Sequence, residues 1–360
     1  MTLPATMRAV VLTGHGGYER LSVRGDVPVP EPGAGEVLIR VAAAGVNNTD
    51  INTRIGWYSK AVADATEAGA ATGMDGAGDD GWSGDAFQFP RIQGADACGR
   101  IVAVGPDVDP ARLGERVLVE PVFRGADRFD VRYFGSEVDG AFADYACVPA
   151  IHAHRVESAL TDVELASFPC AYSAAENILG RIGLNARERV LITGASGGVG
   201  SAAVQLAKRR GAEVVAMVGG DKAEAVRALG ADLVVPRDVD LQAQFGADHF
   251  DAAVDIVGGA GFGAILNALK RGGRYGVAGA ISGPLVELDL RTLYLKDLRL
   301  FGCTVLDPEV FSNLVGYIER GEIRPCIAAT YPLAEIVEAQ EAFLTKRHVG
   351  KIVLTGGDAA

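Results

Sequence analysis

The stretch ARERVLITGASGGVGSAAVQLAKRR constrains this chain more than any other. An apolar strand runs into Gly194, Gly197, Gly198 and Gly200, and a helix with an apolar face starts at once. That order aims several backbone N–H groups and the positive end of the helix at one point, where a pyrophosphate fits. The glycines give the tight turn, let a phosphate approach the backbone, and let helix and strand pack closely. The spacing is GxxGGxG, one residue longer than the commonest dinucleotide fingerprint, GxGxxG.

The surroundings of this turn define the fold class. From about Glu164 to Gly283, strand-like and helix-like segments alternate: VLITG, a helix over Val199–Arg210, EVVAMVG, a helix over Lys222–Leu229, DLVV, FDAAVDIVG, a helix through Ile265–Leu269, and GRYGVAG. Such alternation builds a parallel sheet with helices on both faces, an α/β doubly wound domain. Before it, from Met7 to about Ala150, short apolar segments broken by Gly and Pro predict a β-rich domain, a small barrel. After it come two helical patterns, PEVFSNLVGYIERG and LAEIVEAQEAFLT, and a last strand, GKIVLT, which rejoin the first domain. With 360 residues the chain has room for two domains. The division expected is residues 1–155, 156–298, and a return over 299–360. Residues 59–88, rich in Ala, Gly and Asp, form an insertion that is either a disordered acidic loop or a lid bringing Trp82 and Phe87 over a substrate.

Composition removes several function classes. The net charge is −12 and no Lys/Arg cluster stands ready to neutralise a phosphate backbone, which excludes nucleic acid and anionic membrane as partners. The N-terminus lacks a signal-peptide pattern and no apolar run reaches about 18 residues, so a cytoplasmic protein is expected. Cys98, Cys147, Cys170, Cys303 and Cys326 are scattered and form no CxxC pair, as reduced thiols would be.

The order of segments GEVLIRVAAAGVNNTDI, GADACGRIVAVG, LGERVL, GAFADYACVPA, GASGGVG, ALGAD, DIVGG, RGGRYGVAG and VGKIVLT resembles the medium-chain dehydrogenase/reductase superfamily. The likeness is greatest to its zinc-free quinone oxidoreductase and enoyl reductase branch and covers nearly the whole chain. It implies a GroES-like catalytic β-barrel with a Rossmann domain inserted before its C-terminal part. It also implies a nicotinamide held by Gly194, Ser196, Gly197, Gly198, Val199, Gly200, Gly219, Lys222, Arg237, Gly258, Ala278 and Gly279.

Zinc-dependent members hold their metal with a Cys of a GxCxxD-type motif, the His of GHE and a later Cys. Here Asn47 and Ala95 stand at the first two positions and only Cys170 matches, so no catalytic metal is expected. His15, His152, His154, His249 and His348 show no ligand spacing, and His152 and His154 are expected to alternate across a strand.

Without a Lewis acid, hydrogen-bond donors must stabilise the negative oxygen that develops on the substrate. Asn47 and Tyr58 are the donors the resemblance suggests. Each has a structural alternative, a local cap for Asn47 and packing for Tyr58. Thr49 matches a proton-relaying hydroxyl, and Ser173 falls where relatives place a small hydroxyl residue near the nicotinamide. Met217 takes the position at which an acidic residue reads the ribose of NAD, while Lys222 and Arg237 suit a 2′-phosphate. NADP is therefore expected, NAD remaining possible through Asp221. The expected activity is NADPH-dependent, zinc-independent reduction of a small-molecule quinone or α,β-unsaturated carbonyl compound by a homodimer. The alternatives are a zinc-dependent alcohol dehydrogenase and a non-catalytic NADPH-binding protein.

Overall fold

The computed structural model describes residues 3–78, 81 and 86–356. Six parallel strands form one sheet in the order Leu233–Pro236, Glu213–Val218, Arg189–Ile192, Phe250–Asp255, Leu269–Val277 and Arg299–Gly302. The inner strands read as nearly continuous apolar runs because helices cover both faces. On one face, helices Pro169–Arg181 and Gly198–Arg209 pack together and on the sheet, with Val190, Ile192, Val214 and Val254 fully buried beneath them. On the other face, helix Phe262–Ala268 packs its Phe262, Ile265 and Leu266 against Leu191, Val215 and Tyr275. The strand order reverses between Arg189–Ile192 and Phe250–Asp255, the kind of switch point beyond whose carboxyl strand ends open α/β sheets bind ligands in a crevice. The glycine turn leaves the sheet there.

The second large sheet has seven strands and is organised around Glu36–Val46. This long strand pairs antiparallel with Cys98–Val104, Tyr145–Pro149 and the C-terminal strand Lys351–Thr355. Ile352 lies opposite Val46 and Thr355 opposite Ala43, so the chain does return to its first domain.

The return begins later than expected. Arg299–Gly302 is the sixth strand of the parallel sheet, hydrogen-bonded to Leu269–Val277, and helix Val310–Glu319 buries Phe311, Leu314 and Ile318 in the same core as helix Pro169–Arg181. The crossing to the first domain comes with strand Ile327–Pro332, which pairs with Lys351–Thr355. The helical pattern of 308–321 signalled a helix but not which core its apolar stripe would join.

The insertion is not a structureless loop over its described residues. Ser59 Oγ accepts from Gly78 N at 2.9 Å, and Thr66–Gly69 form a 3-10 turn whose Thr66 hydroxyl donates to Asn52 Oδ1 at 3.0 Å. Arg54, fully buried, donates to Ala70 O at 2.8 Å, Gly16 O at 2.9 Å and Gln340 Oε1 at 2.9 Å. One guanidinium thus supplies the donors that a segment of Ala and Gly cannot. Thr66 N donates to Ile281 O at 3.1 Å, which joins the insertion to the parallel-sheet domain. Phe87 packs on His15 and Phe89, and Trp82 lies outside the described residues.

His152 and His154 meet at one carboxylate. His152 closes the 3-10 turn Ala150–His152, His154 lies on strand Ala153–Arg155, and both reach Glu120 Oε2, at 3.1 and 3.2 Å. Burial alone would raise the Glu120 carboxyl, but the two imidazoles and Arg124 outweigh it and bring its pKa to about 2.

Candidate active site

Gly194 leaves its strand with φ +57, in the left-handed region that glycine enters without a Cβ penalty. Gly197 caps helix Gly198–Arg209, and Ser201 N donates back to Gly197 O at 2.8 Å. A Cβ on Gly200 would stand 2.2 Å from Gly194 O, so this glycine exists for the fold of the turn. A Cβ on Gly197 would meet nothing closer than Gly194 O at 3.6 Å. The space beside Gly197 is therefore open on the side a ligand would fill. The turn, with a helix of 12 residues behind it, suits a pyrophosphate.

The neighbouring loops close around this point. Asp255, fully buried, accepts from Thr193 Oγ1 at 2.6 Å, Tyr275 OH at 2.7 Å, Val257 N at 2.9 Å and Gly258 N at 3.1 Å. That network fixes the bend at Gly258, φ +64, and Gly279 packs so tightly on it that a Cβ would come 2.9 Å from Ile256 O. Thr193, Asp255 and Tyr275 were not singled out by sequence reasoning. Their signal was polar residues at the ends of otherwise apolar strands.

At the other end of the crevice, strand Glu213–Val218 finishes beside Met217, half-buried, and Gly219. Arg237 crosses over Gly219, its Cδ 3.4 Å from where a Cβ would be. The Lys222 ammonium donates to the backbone carbonyl of Lys346 from the opposite wall and is lowered in pKa by burial and by Arg237, against Asp221. The two cations expected to read a ribose phosphate thus stand together.

Asn47 caps helix Asn48–Ile55 and lies among buried charges. Both of its amide hydrogens are engaged, to Asp96 Oδ2 at 2.8 Å and Gly45 O at 3.3 Å, and its Oδ1 accepts from Lys351 Nζ. Its backbone N–H donates to Asp50 Oδ2 at 2.7 Å, as the start of helix Asn48–Ile55. Asn47 is a structural link with no donor left for a substrate. The buried charges around it compete strongly for that amide.

Those charges form the centre of the site. Lys351 and Asp96, 3% and 0% exposed, pair at 2.7 Å. Asp96 Oδ1 also accepts from Cys170 N at 2.6 Å, so the pair ties the C-terminal strand to helix Pro169–Arg181. The Lys351 stem runs past the cofactor turn, its Cδ 3.0 Å from where a Gly198 Cβ would be, and Gly350 N donates to Ser196 O at 2.9 Å. Two of the three positions compared with zinc ligands, Asn47 and Cys170, lie beside an ammonium. Burial, then the Asp96 charge, holds the Cys170 thiol well above its usual range despite Lys351. Among the described residues no group of three or more His, Cys, Asp and Glu is arranged to hold a metal ion. Lys351 and Asp96 escaped sequence reasoning, although a Lys opening the apolar strand KIVL and an Asp within GADACG were a signal.

The Tyr58 hydroxyl donates to Thr49 Oγ1 at 3.0 Å, which brings two of the expected residues together. Burial pushes the phenol well above its usual range, so it keeps its proton through neutral pH; hydrogen bonds to Thr49 and Asn52 only partly oppose this, and Cys170 and Asp50 add to it. Asp50, 2% exposed, is raised to about 7 by burial, against donors from Asn47 and Gly94 and the charge of Lys351. Ser173, 1% exposed, donates to Cys170 O at 3.2 Å within its own helix. The preceding turn of the helix offers this hydroxyl its acceptor.

Residues 33–158 match the alcohol dehydrogenase GroES-like domain and residues 198–320 the zinc-binding dehydrogenase domain. The chain is 29% identical to an acryloyl-coenzyme A reductase of Metallosphaera sedula, over 97% of this chain and 100% of that one. It is 28% identical to a quinone oxidoreductase of Lama guanicoe, over 97% of each. A solved protein from Sinorhizobium meliloti 1021, provisionally described as an alcohol dehydrogenase, superposes with a TM-score of 0.88 at 46% identity, over 98% of both chains.

Proposed function

Because the chain belongs to the medium-chain dehydrogenase/reductase superfamily, in its quinone and enoyl reductase-like branch, we propose that it uses NADPH, without zinc, to reduce a quinone or an α,β-unsaturated carbonyl compound. The observation that carries this reading is the juxtaposition of the glycine turn with a buried Lys351–Asp96 pair and a Tyr58–Thr49 hydroxyl pair, at the place where zinc-dependent members keep their ligands. When bound, the nicotinamide supplies the hydride.

The protein's own residues then have three tasks. The turn at Gly194–Gly200 holds the pyrophosphate and so sets where the nicotinamide end lies. Arg237 and Lys222 neutralise the 2′-phosphate. Thr49 accepts from Tyr58, which leaves its own O–H proton to donate to the oxygen that gains negative charge as the carbonyl or quinone accepts electrons. Tyr58, kept protonated by burial, stands behind Thr49 as the reserve of that proton.

The homodimer is proposed on the edge strand Arg299–Gly302, where Leu300 and the neighbouring Leu285, Val286, Leu290, Tyr294 and Leu295 are exposed. An unpaired edge beside apolar side chains is covered economically by a second copy of itself. No helix among the described residues is long and apolar enough to cross a membrane, and the five cysteines are free thiols, which supports a cytoplasmic setting.

The test is a screen of NADPH oxidation against quinones, enones and enoyl thioesters, on protein purified without chelator and assayed for zinc. Turnover of one of these classes that persists in EDTA, with well under one zinc per chain, is the result expected. Stoichiometric zinc, with activity lost to EDTA and restored by zinc, overturns the zinc-independent reading. Binding of NADPH with no turnover of any class overturns the enzymatic one.

A further inference from the structure

Helix Ile336–Leu344 ends at Thr345, and the next residue, Lys346, has φ +51. That position after a helix, in the left-handed region, is ordinarily glycine, because a Cβ there is strained. A residue kept in a strained conformation invites the question of what its side chain does. The Lys346 ammonium reaches back across the Phe343 ring, 4.1 Å from its centre, to a point 3.5 Å from Asn48 Oδ1. Asn48 is the first residue of helix Asn48–Ile55, next to Asn47 and its bond to Lys351. The backbone carbonyl of Lys346 is held by Lys222 from the far side of the crevice.

The segment from Lys346 to Lys351 therefore runs from Lys222, just past strand Glu213–Val218, to the glycine turn. Lys222 grips one end; at the other, Gly350 N donates to Ser196 O at 2.9 Å and the Lys351 stem lies against Gly198. Positive charge accumulates along it. His348 is pushed down to about 4 by burial and by Lys346, Lys222 and Lys351 together. Lys346 falls to about 8 through burial and repulsion from Lys222, with Glu67 of the insertion opposing. In a chain of net charge −12, several ammonium groups crowded at one crevice are a site that an anion completes.

We propose that Lys346 is a cofactor-binding residue whose ammonium, on the wall facing the Gly194–Gly200 turn, is the counter-charge to the pyrophosphate of the nicotinamide dinucleotide. The proposal rests on the cofactor reading above and assigns one more residue to it. It also separates two ends of one ligand: Lys346 beside Asn48 serves the pyrophosphate shared by NADH and NADPH, whereas Lys222 and Arg237 beside Gly219 serve the 2′-phosphate of NADPH alone.

The experiment is calorimetric titration of NADPH and NADH into the parent protein, Lys346→Gly, Lys346→Arg and Lys222→Ala. Glycine suits φ +51, so the thermal midpoint of Lys346→Gly without cofactor is expected to equal or exceed that of the parent. Its affinity should fall roughly ten- to a hundredfold, the size of a charge-assisted contact, for NADPH and NADH alike. Lys346→Arg should recover most of it, and Lys222→Ala should weaken NADPH selectively. Lys346→Gly binding both cofactors within about twofold of the parent overturns the proposal, and so does a loss confined to NADPH. Should the glycine variant melt below the parent, Lys346→Gln carries the same comparison. Failure of the parent to bind either cofactor defeats the cofactor reading itself, and the proposal with it.

Discussion

Replacing Lys351 by methionine takes one charge out of the buried pair while keeping an unbranched side chain of similar length. Asp96, with no exposed surface, would keep only Asn47 Nδ2 at 2.8 Å and Cys170 N at 2.6 Å as donors. At the observed 2.7 Å and an effective dielectric near 20, the lost attraction is about 6 kcal/mol before desolvation is counted. Because the ammonium also no longer has to be desolvated, the net cost should be about 3–5 kcal/mol, the range for breaking one side of a buried pair. Asp96→Asn should cost a comparable amount, since it leaves Lys351 with Asn47 Oδ1 as its named acceptor. The double variant should be less damaged than the sum of the two by about 2–3 kcal/mol, because neither charge is then stranded. Urea unfolding of the four proteins, followed by far-ultraviolet circular dichroism and tryptophan fluorescence, measures the cycle. Single variants that cost less than about 1 kcal/mol, or strictly additive effects, would refute the claim that this pair holds the two halves of the site together.

Two further outcomes follow from the geometry. Gly197→Val should leave the fold intact and abolish nicotinamide binding, since its side chain grows into the ligand side of the turn; Gly200→Ala should instead damage the fold, its Cβ standing 2.2 Å from Gly194 O, and thermal melting beside cofactor titration tells the two apart. The Asp50 carboxyl has a folded pKa of about 7, above its ordinary value of 3.8, so the protonated group's contribution is complete below about 4 and is lost as pH rises through 7. Asp50→Asn should therefore gain stability relative to the parent between pH 5 and pH 8, and equal pH profiles in urea melts would contradict the assignment.

The cofactor turn was legible in the sequence because its chemistry is local: a strand, four glycines and a helix within a dozen residues, all of which the backbone then uses. The central site was legible only in part. Asn47 and Tyr58 could be picked out by position in a motif, yet what Asn47 does depends on Lys351, 304 residues away, and no short-range pattern carries that information. The same holds for Arg54, whose donors organise an insertion that reads as loop when Ala and Gly are counted by themselves. The late boundary of the parallel-sheet domain has a related cause. An apolar stripe on helix Val310–Glu319 says that it packs, and only the helix it meets, Pro169–Arg181, says where.

The pairing of Glu36–Val46 with Lys351–Thr355 also bears on how the molecule comes into being. A ribosome releases Asn47 and Asp96 early, and for most of synthesis they wait without the lysine that balances them. The intervening Rossmann half has its own sheet, although its core also takes in Ala43, Cys98, Leu118 and Val353, whereas the seven-stranded sheet must close a loop of about 300 residues before its middle strand has its last neighbour. Closing so long a loop is entropically only modestly worse than closing one half as long, but it is late and slow. The strand that carries Lys351 is thus the one that joins the early strands of the seven-stranded sheet to residues made about 300 positions later.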